Sequence, residues 1–203
     1  MGRRNDHTRE EIKEMAIKAG LELIEEGGFL NCSARKVAAR IGYSAGTLYN
    51  VFDDYYDLVF HVNAVTLNDL QKYIEEKLDR DLEGIEAIKR LGVCYIEFAH
   101  ENDFRWRALF DYLRPLNSHL PEWYLLTVNS LFAIAEILIL PLVQGDKESA
   151  RRVANVLWGG VHGIYSLGIT QRLGQGDIEY LKTMSDSLIE NYLRGLTQIK
   201  EIS

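Results

Sequence analysis

Apolar residues recur along this chain at helical spacing almost from end to end, and nowhere do they alternate long enough to predict a strand. The first helix is predicted to begin after Thr8, where Thr8 and Glu11 form a capping box. Ile12, Met15, Ala16, Ala19, Leu23 and Ile24 then form its apolar side, and Gly27-Gly28 ends it. A short helix over Ser33–Arg40 places Val37, Ala38 and Ile41 together. A tight turn at Ile41–Ser44 leads into another over Ala45–Val51. A fourth helix is expected from Asp54 to Leu78 and a fifth near Leu82–Glu101. A short aromatic one follows over Phe104–Leu113, then a loop bracketed by Pro115 and Pro121. Three more are expected at about Glu122–Leu140, Lys147–Arg172 and Asp177–Leu196, for an all-α fold of about nine helices. No Pro-rich or Gly-rich linker interrupts the chain after Phe52, which predicts a rigid connection between its two parts.

Composition narrows the class. The chain has 203 residues, 47% hydrophobic and 26% charged, as a folded protein does. Its net charge of −7 disfavours a polyanionic partner only until it is divided. Residues 1–52 carry 8 Lys/Arg against 7 Asp/Glu, whereas residues 53–203 carry 15 against 23. The local field at a contact surface governs duplex binding. The expected basic side is Arg3, Arg4, Arg35, Lys36 and Arg40, with the acids of the first helix, including Glu22, Glu25 and Glu26, facing away. Cys32 and Cys94 are too few and too distant for a metal cluster or disulfide scaffold, and both are read as reduced, buried thiols. The amino-terminal stretch lacks an apolar signal segment. The greasiest stretch, Trp123–Val143, is interrupted by Asn129, Glu136 and Pro141 and reads as a buried helix rather than a membrane span. These features predict a cytoplasmic protein without membrane contact.

Residues 29–52 carry the most specific chemistry. Two short helices joined by a turn with a glycine form a helix-turn-helix, whose second helix can enter a major groove. A bulky residue at the start of that helix would hold it off the base edges, and Ser44, Ala45, Gly46 and Thr47 are all small. Ser44 is the natural N-cap, with amides that can face a phosphate. Thr47 can donate to a base or phosphate, or offer its methyl to thymine. Tyr49 brings a hydroxyl to phosphate range, and Asn50 reads adenine or is simply solvated. Arg35 is placed for a backbone contact, Lys36 less so. Arg3 and Arg4 are either an arm reaching the minor groove or a tail without a role.

Taken together, Cys32-Ser33, Val37-Ala38, Ile41-Gly42-Tyr43-Ser44, Gly46-Thr47-Leu48-Tyr49 and Phe52 resemble the DNA-reading region of the TetR/AcrR repressors, with a weaker match through Asp57-Leu58. The resemblance implies a DNA-binding head over residues 1–52 and a ligand-binding and dimerisation domain over 53–203. It places Tyr49 and Thr47 on the DNA backbone and Ala45 and Asn50 near bases. One departure is that the family usually has a phosphate-touching lysine where this chain has Tyr55.

Residues 53–203 hold no glycine-rich phosphate loop, HExxH, CxxC or nucleophile elbow. His7, His61, His100, His119 and His162 lack metal-ligand spacing, so no enzyme, metal or cofactor is expected. Aromatic residues are instead abundant, which suits an apolar ligand pocket or an ordinary core. The segment Leu157–Gly168 contains Trp158-x-x-x-His162-Gly163, resembling the signature of one TetR subgroup. Trp158 and His162 share a helix face, and His162 is either a satisfied core histidine or a ligand-facing or interface one. The expected ligand wall is Phe98, Trp106, Phe110, Tyr124, Trp158 and His162. The glycines of that helix cost about 1 kcal/mol each, a sign that another helix or a ligand comes close. The last helix is apolar over a wide face, and the family's last two helices form a four-helix bundle between subunits. Leu181, Met184, Leu188 and Tyr192 are the expected dimer contacts. The implied function is a homodimeric repressor released from a near-palindromic duplex operator by a small apolar or amphipathic molecule. The alternative is a DNA-binding regulator controlled without a small ligand.

Overall fold

The computed structural model describes residues 7–79, 81–111, 119–174 and 177–201, with side chains through 196. Its described residues form nine α-helices and no strand. These are α1 (Arg9–Gly27), α2 (Ala34–Arg40), α3 (Ala45–Leu48), α4 (Tyr55–Lys77), α5 (Gly84–Glu101), α6 (Asp103–Ala108), α7 (Glu122–Ile139), α8 (Lys147–Ile169) and α9 (Ile178–Glu201). The predicted capping box is present, with the Glu11 amide donating to the Thr8 hydroxyl and the Thr8 amide to the Glu11 carboxylate. The predicted Tyr112, Leu113 and Pro115 lie outside the described residues.

The helices gather into two compact units, residues 1–68 with 102–125 and residues 69–101 with 126–203. Both α4 and α7 run through a unit boundary without a break. The first unit has a core of Ile12, Ala16, Ala19, Leu23 and Ile24 from α1, Val37 and Ala38 from α2, Leu48, Phe52, and Leu58 and Val62 from α4. Each large aliphatic side chain buried there contributes about 1.5–3 kcal/mol relative to exposure. The helices approach closely at Gly20, where a Cβ would lie 2.7 Å from Val62. In the second unit α9 packs on α5 and α8 through Leu181, Ser185, Ile189 and Leu193, one side chain per turn. Gly92 lets Ile189 approach to 2.8 Å of where a Cβ would stand, and Leu188 and Leu181 press on Gly160 and Gly168. Lys182 adds an ion pair with Glu97 across α9 and α5 at 2.9 Å.

The expectation that the greasiest helix is buried is overturned. Only 11% of the most apolar window within Glu122–Val143 is buried, while Leu126 and Ile137 stand 63% and 69% exposed. The reason is composition: apolar residues spread over more of the helix than the stripe its neighbours cover, where Leu131 and Ile134 pack. By length and hydropathy the stretch could cross a membrane, but Ser130 donates to Gln71 of α4 at 3.0 Å and Glu136 pairs with Arg151 of α8 at 3.5 Å. The expected thiols are indeed free and buried.

Candidate nucleic-acid interface and effector site

The helix-turn-helix is built by local rules. Ser33 caps α2, its hydroxyl accepting from the Lys36 amide at 3.3 Å. Gly42 has φ +78°, which L side chains rarely adopt, and the Tyr43 amide donates back to the Ala38 carbonyl at 2.9 Å. Ser44 then caps α3, accepting from the Thr47 amide at 3.3 Å, and the two hydroxyls lie 3.1 Å apart. Leu48 is 1% exposed and anchors α3 to the core. Ser44, Gly46, Tyr49 and Asn50 are exposed, while Ala45 and Thr47 are half-buried. The helical part of α3 ends at Leu48 rather than Val51, and turns carry the chain to Phe52.

The basic side differs from expectation. Arg35 is exposed, but Arg40 grips Glu26 with two hydrogen bonds of 2.6 and 2.8 Å and lies 3.8 Å from Glu22. This pair holds the Glu26 carboxyl below its usual range and raises Arg40. Glu25 lies 3.7 Å from Arg105. Several acids of α1 therefore turn toward neighbouring helices, because α2 and α6 bring arginines into their reach. The Lys36 ammonium donates to the Asn31 side chain at 2.6 Å.

Tyr55 has a structural job that the sequence did not reveal. Its half-buried hydroxyl donates to the Cys32 carbonyl at 2.8 Å, tying the start of α4 to the segment before α2, and burial pushes its pKa up. Tyr55→Phe is expected to cost about 0.5–1.5 kcal/mol of stability. A thermal melt of the variant would show it; an unchanged midpoint would mean the hydrogen bond adds nothing.

The residues expected to line an effector pocket fall into both units. In the second unit, the Trp158 and His162 rings lie 5.3 Å apart, with Phe132 at 5.6 Å from Trp158. His162 Nδ1 meets the Tyr95 hydroxyl at 2.9 Å and its Nε2 meets Ser166 at 3.2 Å. Burial lowers the His162 pKa, which favours the neutral ring. Trp158 itself is 41% exposed. Phe98 is buried in a neighbouring cluster with Leu70, Ile74 and Cys94, against which Tyr95 also packs. In the first unit, Trp106 and Phe110 pack with ring centres 5.1 Å apart, and Tyr124 packs on Phe60 at 5.1 Å. Tyr95 and Ser166, which hold His162, are not among the residues expected there. The spacing of Ser166 from His162 was a usable signal, whereas Tyr95 arrives from another helix. A recess of about 240 Å³ between α7 and α8 is lined by Ala133, Glu136, Ile137, Leu140, Lys147 and Ala150, and so shares no residue with the expected wall.

Of the expected dimer contacts, Leu181 is 1% exposed and consumed within the protomer by Gly168. Met184, Leu188 and Tyr192 are half-buried, and Leu188 also touches Gly160. Gly159 and Gly163 of α8 face open space, flanked by exposed Val156 and Leu167. Among the described residues no group of three metal-ligating side chains assembles.

Comparison with known proteins agrees with this geometry. Residues 16–62 match the family described as "Bacterial regulatory proteins, tetR family". No curated protein sequence matches the chain. Among solved structures, a protein of unknown function from Rhodococcus sp. RHA1 superposes with a TM-score of 0.70 at 17% identity, covering 97% of this chain and 100% of that one. A transcriptional regulator from Rhodococcus sp. Rha1 does so with 0.68 at 19% identity, covering 90% and 96%. The fatty acid degradation regulator FadR from Bacillus halodurans gives 0.60 at 16% identity, covering 87% and 93%. The chain thus carries a TetR-type amino-terminal domain on an all-α, TetR-like fold.

Proposed function

We propose that this chain is a DNA-binding transcriptional regulator that acts as a homodimer in the cytoplasm and answers to a small molecule. Its most specific form is a repressor released from a near-palindromic operator by an apolar or amphipathic effector. The observation that carries the reading is the start of α3: small Ser44, Ala45 and Gly46 ahead of Thr47, with Leu48 buried beneath and Tyr49 and Asn50 exposed. Arg35, Ser44, Thr47 and Tyr49 are assigned to the DNA backbone, and Ala45, Gly46 and Asn50 to the bases. Two heads read two half-sites. The pairing surface is the α8 stripe of exposed Val156, Gly159 and Leu167 and half-buried Gly163, with Met184, Leu188 and Tyr192 of α9.

Selection of duplexes from a random library by the purified protein tests this directly. A near-palindromic consensus is the expected result, and recovery of no consensus counts against the reading.

The effector is assigned to Trp158 and His162, with Tyr95 and Phe98 nearby. Trp158 offers a ring at the surface, and His162, its two nitrogens engaged by Tyr95 and Ser166, is held in a fixed orientation beside it. Effector acts only to the extent that it prefers one arrangement of the dimer over another. A panel of apolar and amphipathic molecules, scored by release of the selected duplex, identifies a working effector. Trp158→Ala is then expected to weaken that effector about tenfold or more, near 1.4 kcal/mol, with unliganded DNA binding intact. Release at the wild-type concentration by a folded, dimeric variant removes Trp158 from the site. A second reading, regulation without a small ligand, draws on Trp106 and Tyr124, which are 3% and 5% exposed and serve as packing in the first unit.

A further inference from the structure

We infer that His7 and Tyr43 form a further backbone contact of the head, a paired donor that engages a duplex phosphate beside α3 and takes up a proton as it does so. The inference rests on the DNA-binding reading above and adds two residues to those assigned there. Arg3 and Arg4 lie outside the described residues and have no part in it.

Position supplies the first argument. Tyr43 closes the turn between α2 and α3 and immediately precedes Ser44, the cap of α3. Its amide donates to the Ala38 carbonyl at 2.9 Å, and its half-buried ring packs against the core of the first unit. The ring is therefore fixed, and with it the place of its hydroxyl. His7 Nδ1 meets that hydroxyl at 2.8 Å, the rings standing edge to face with centres 6.1 Å apart. His7 is exposed and stands one residue before the Thr8 cap of α1. Past the other end of α3, the Arg9 guanidinium donates to the Val51 carbonyl at 3.2 Å and holds the same entry to α1. The pair thus stands at the edge of the recognition element. It is one residue from Ser44, whose hydroxyl lies 3.1 Å from that of Thr47 and shares its assignment to the DNA backbone.

Chemistry supplies the second. Several cations of the head are engaged within it: Arg40 by Glu26, Lys36 by Asn31 and Arg9 by Val51. Tyr55 turns its hydroxyl to Cys32. More of the backbone contact then falls to hydroxyl and imidazole groups, which phosphates accept from readily. A neutral imidazole donates from one nitrogen and accepts at the other, whereas a protonated one donates from both. With the proton added from solvent, His7 Nδ1–H donates to the Tyr43 oxygen. The Tyr43 O–H and the His7 Nε2–H are then both released to donate outward. A phosphate beside the ring stabilises the charge so formed. Among the described residues, the ionisable groups facing His7 are Tyr43 from the turn and Glu11 of α1. The Glu11 carboxyl is held below its usual range first by the Thr8 hydrogen bonds and then by His7 itself.

The test uses the full-length chain and the duplex recovered by the wild-type protein from a random library. Affinity is measured from about pH 6 to about pH 8, the range in which histidine changes charge, for wild type, His7→Gln and Tyr43→Phe. Wild-type binding should be tightest at the acid end and weaken as pH rises, by up to about tenfold per pH unit for each head, because each head holds one more proton in the complex. At the acid end both variants should bind about tenfold more weakly, one charge-assisted hydrogen bond being lost per head. The loss should be alike on selected and random duplex, as a phosphate contact requires. His7→Gln should also lose its share of the pH dependence. A wild-type pH profile in His7→Gln overturns the contact while leaving the DNA-binding reading intact. A lowered melting midpoint with that profile unchanged assigns the hydrogen bond to folding alone and overturns the contact as well. If the wild-type protein enriches no duplex, the DNA-binding reading falls and the contact with it.

Discussion

Gly163→Arg is expected to turn the proposed homodimer into a monomer while the chain keeps its fold. A Cβ at Gly163 meets nothing within 4 Å, so the first atom of the new side chain finds room in its own subunit. Arginine also favours a helix over glycine by roughly 0.5–1 kcal/mol, so α8 should be at least as stable. Across a two-fold interface the same change brings two bulky cations into one desolvated surface, where neither has a partner. Sedimentation at micromolar concentration should then report the mass of one chain, with an unchanged helical circular dichroism spectrum. A persistent dimer would place the interface elsewhere. Operator binding should fall with the dimer, because a single head holds only one half-site.

Gly46→Leu is the matching expectation for the head. The Cβ would touch only the Ser44 hydroxyl at 3.7 Å, an ordinary contact, so folding should be unaffected. Toward DNA the case differs, since Gly46 is exposed at the start of the helix that must approach base edges. A leucine there holds the helix off the groove. Affinity for the selected duplex should drop toward the non-specific level, about a thousandfold or more. Binding to random duplex should persist, because backbone phosphates remain reachable. Full retention of specific binding in a folded variant would show that the start of α3 does not enter the groove.

The sequence by itself determined the local architecture. The Thr8–Glu11 box, the Ser33 and Ser44 caps and the positive φ at Gly42 depend on residues within one helical turn of each other. Such short-range rules are readable from order alone, and so was the run of amphipathic helices that makes the chain all-α. Cross-helix partnership was not readable in this way. That Tyr55 bonds Cys32, that Arg40 is taken by α1, that Tyr95 meets His162 and that His7 meets Tyr43 all join residues separated by 14 to 67 positions. Periodicity says which face of a helix is apolar but not which neighbour covers it. It therefore read α7 as buried although most of that helix stays partly open, and it counted Leu181 among the outward contacts although Gly168 receives it. It also grouped aromatic residues that packing distributes between two units. Local hydrogen bonds and helical spacing are written in the order of residues, whereas burial and pairing across helices are set only when the helices pack.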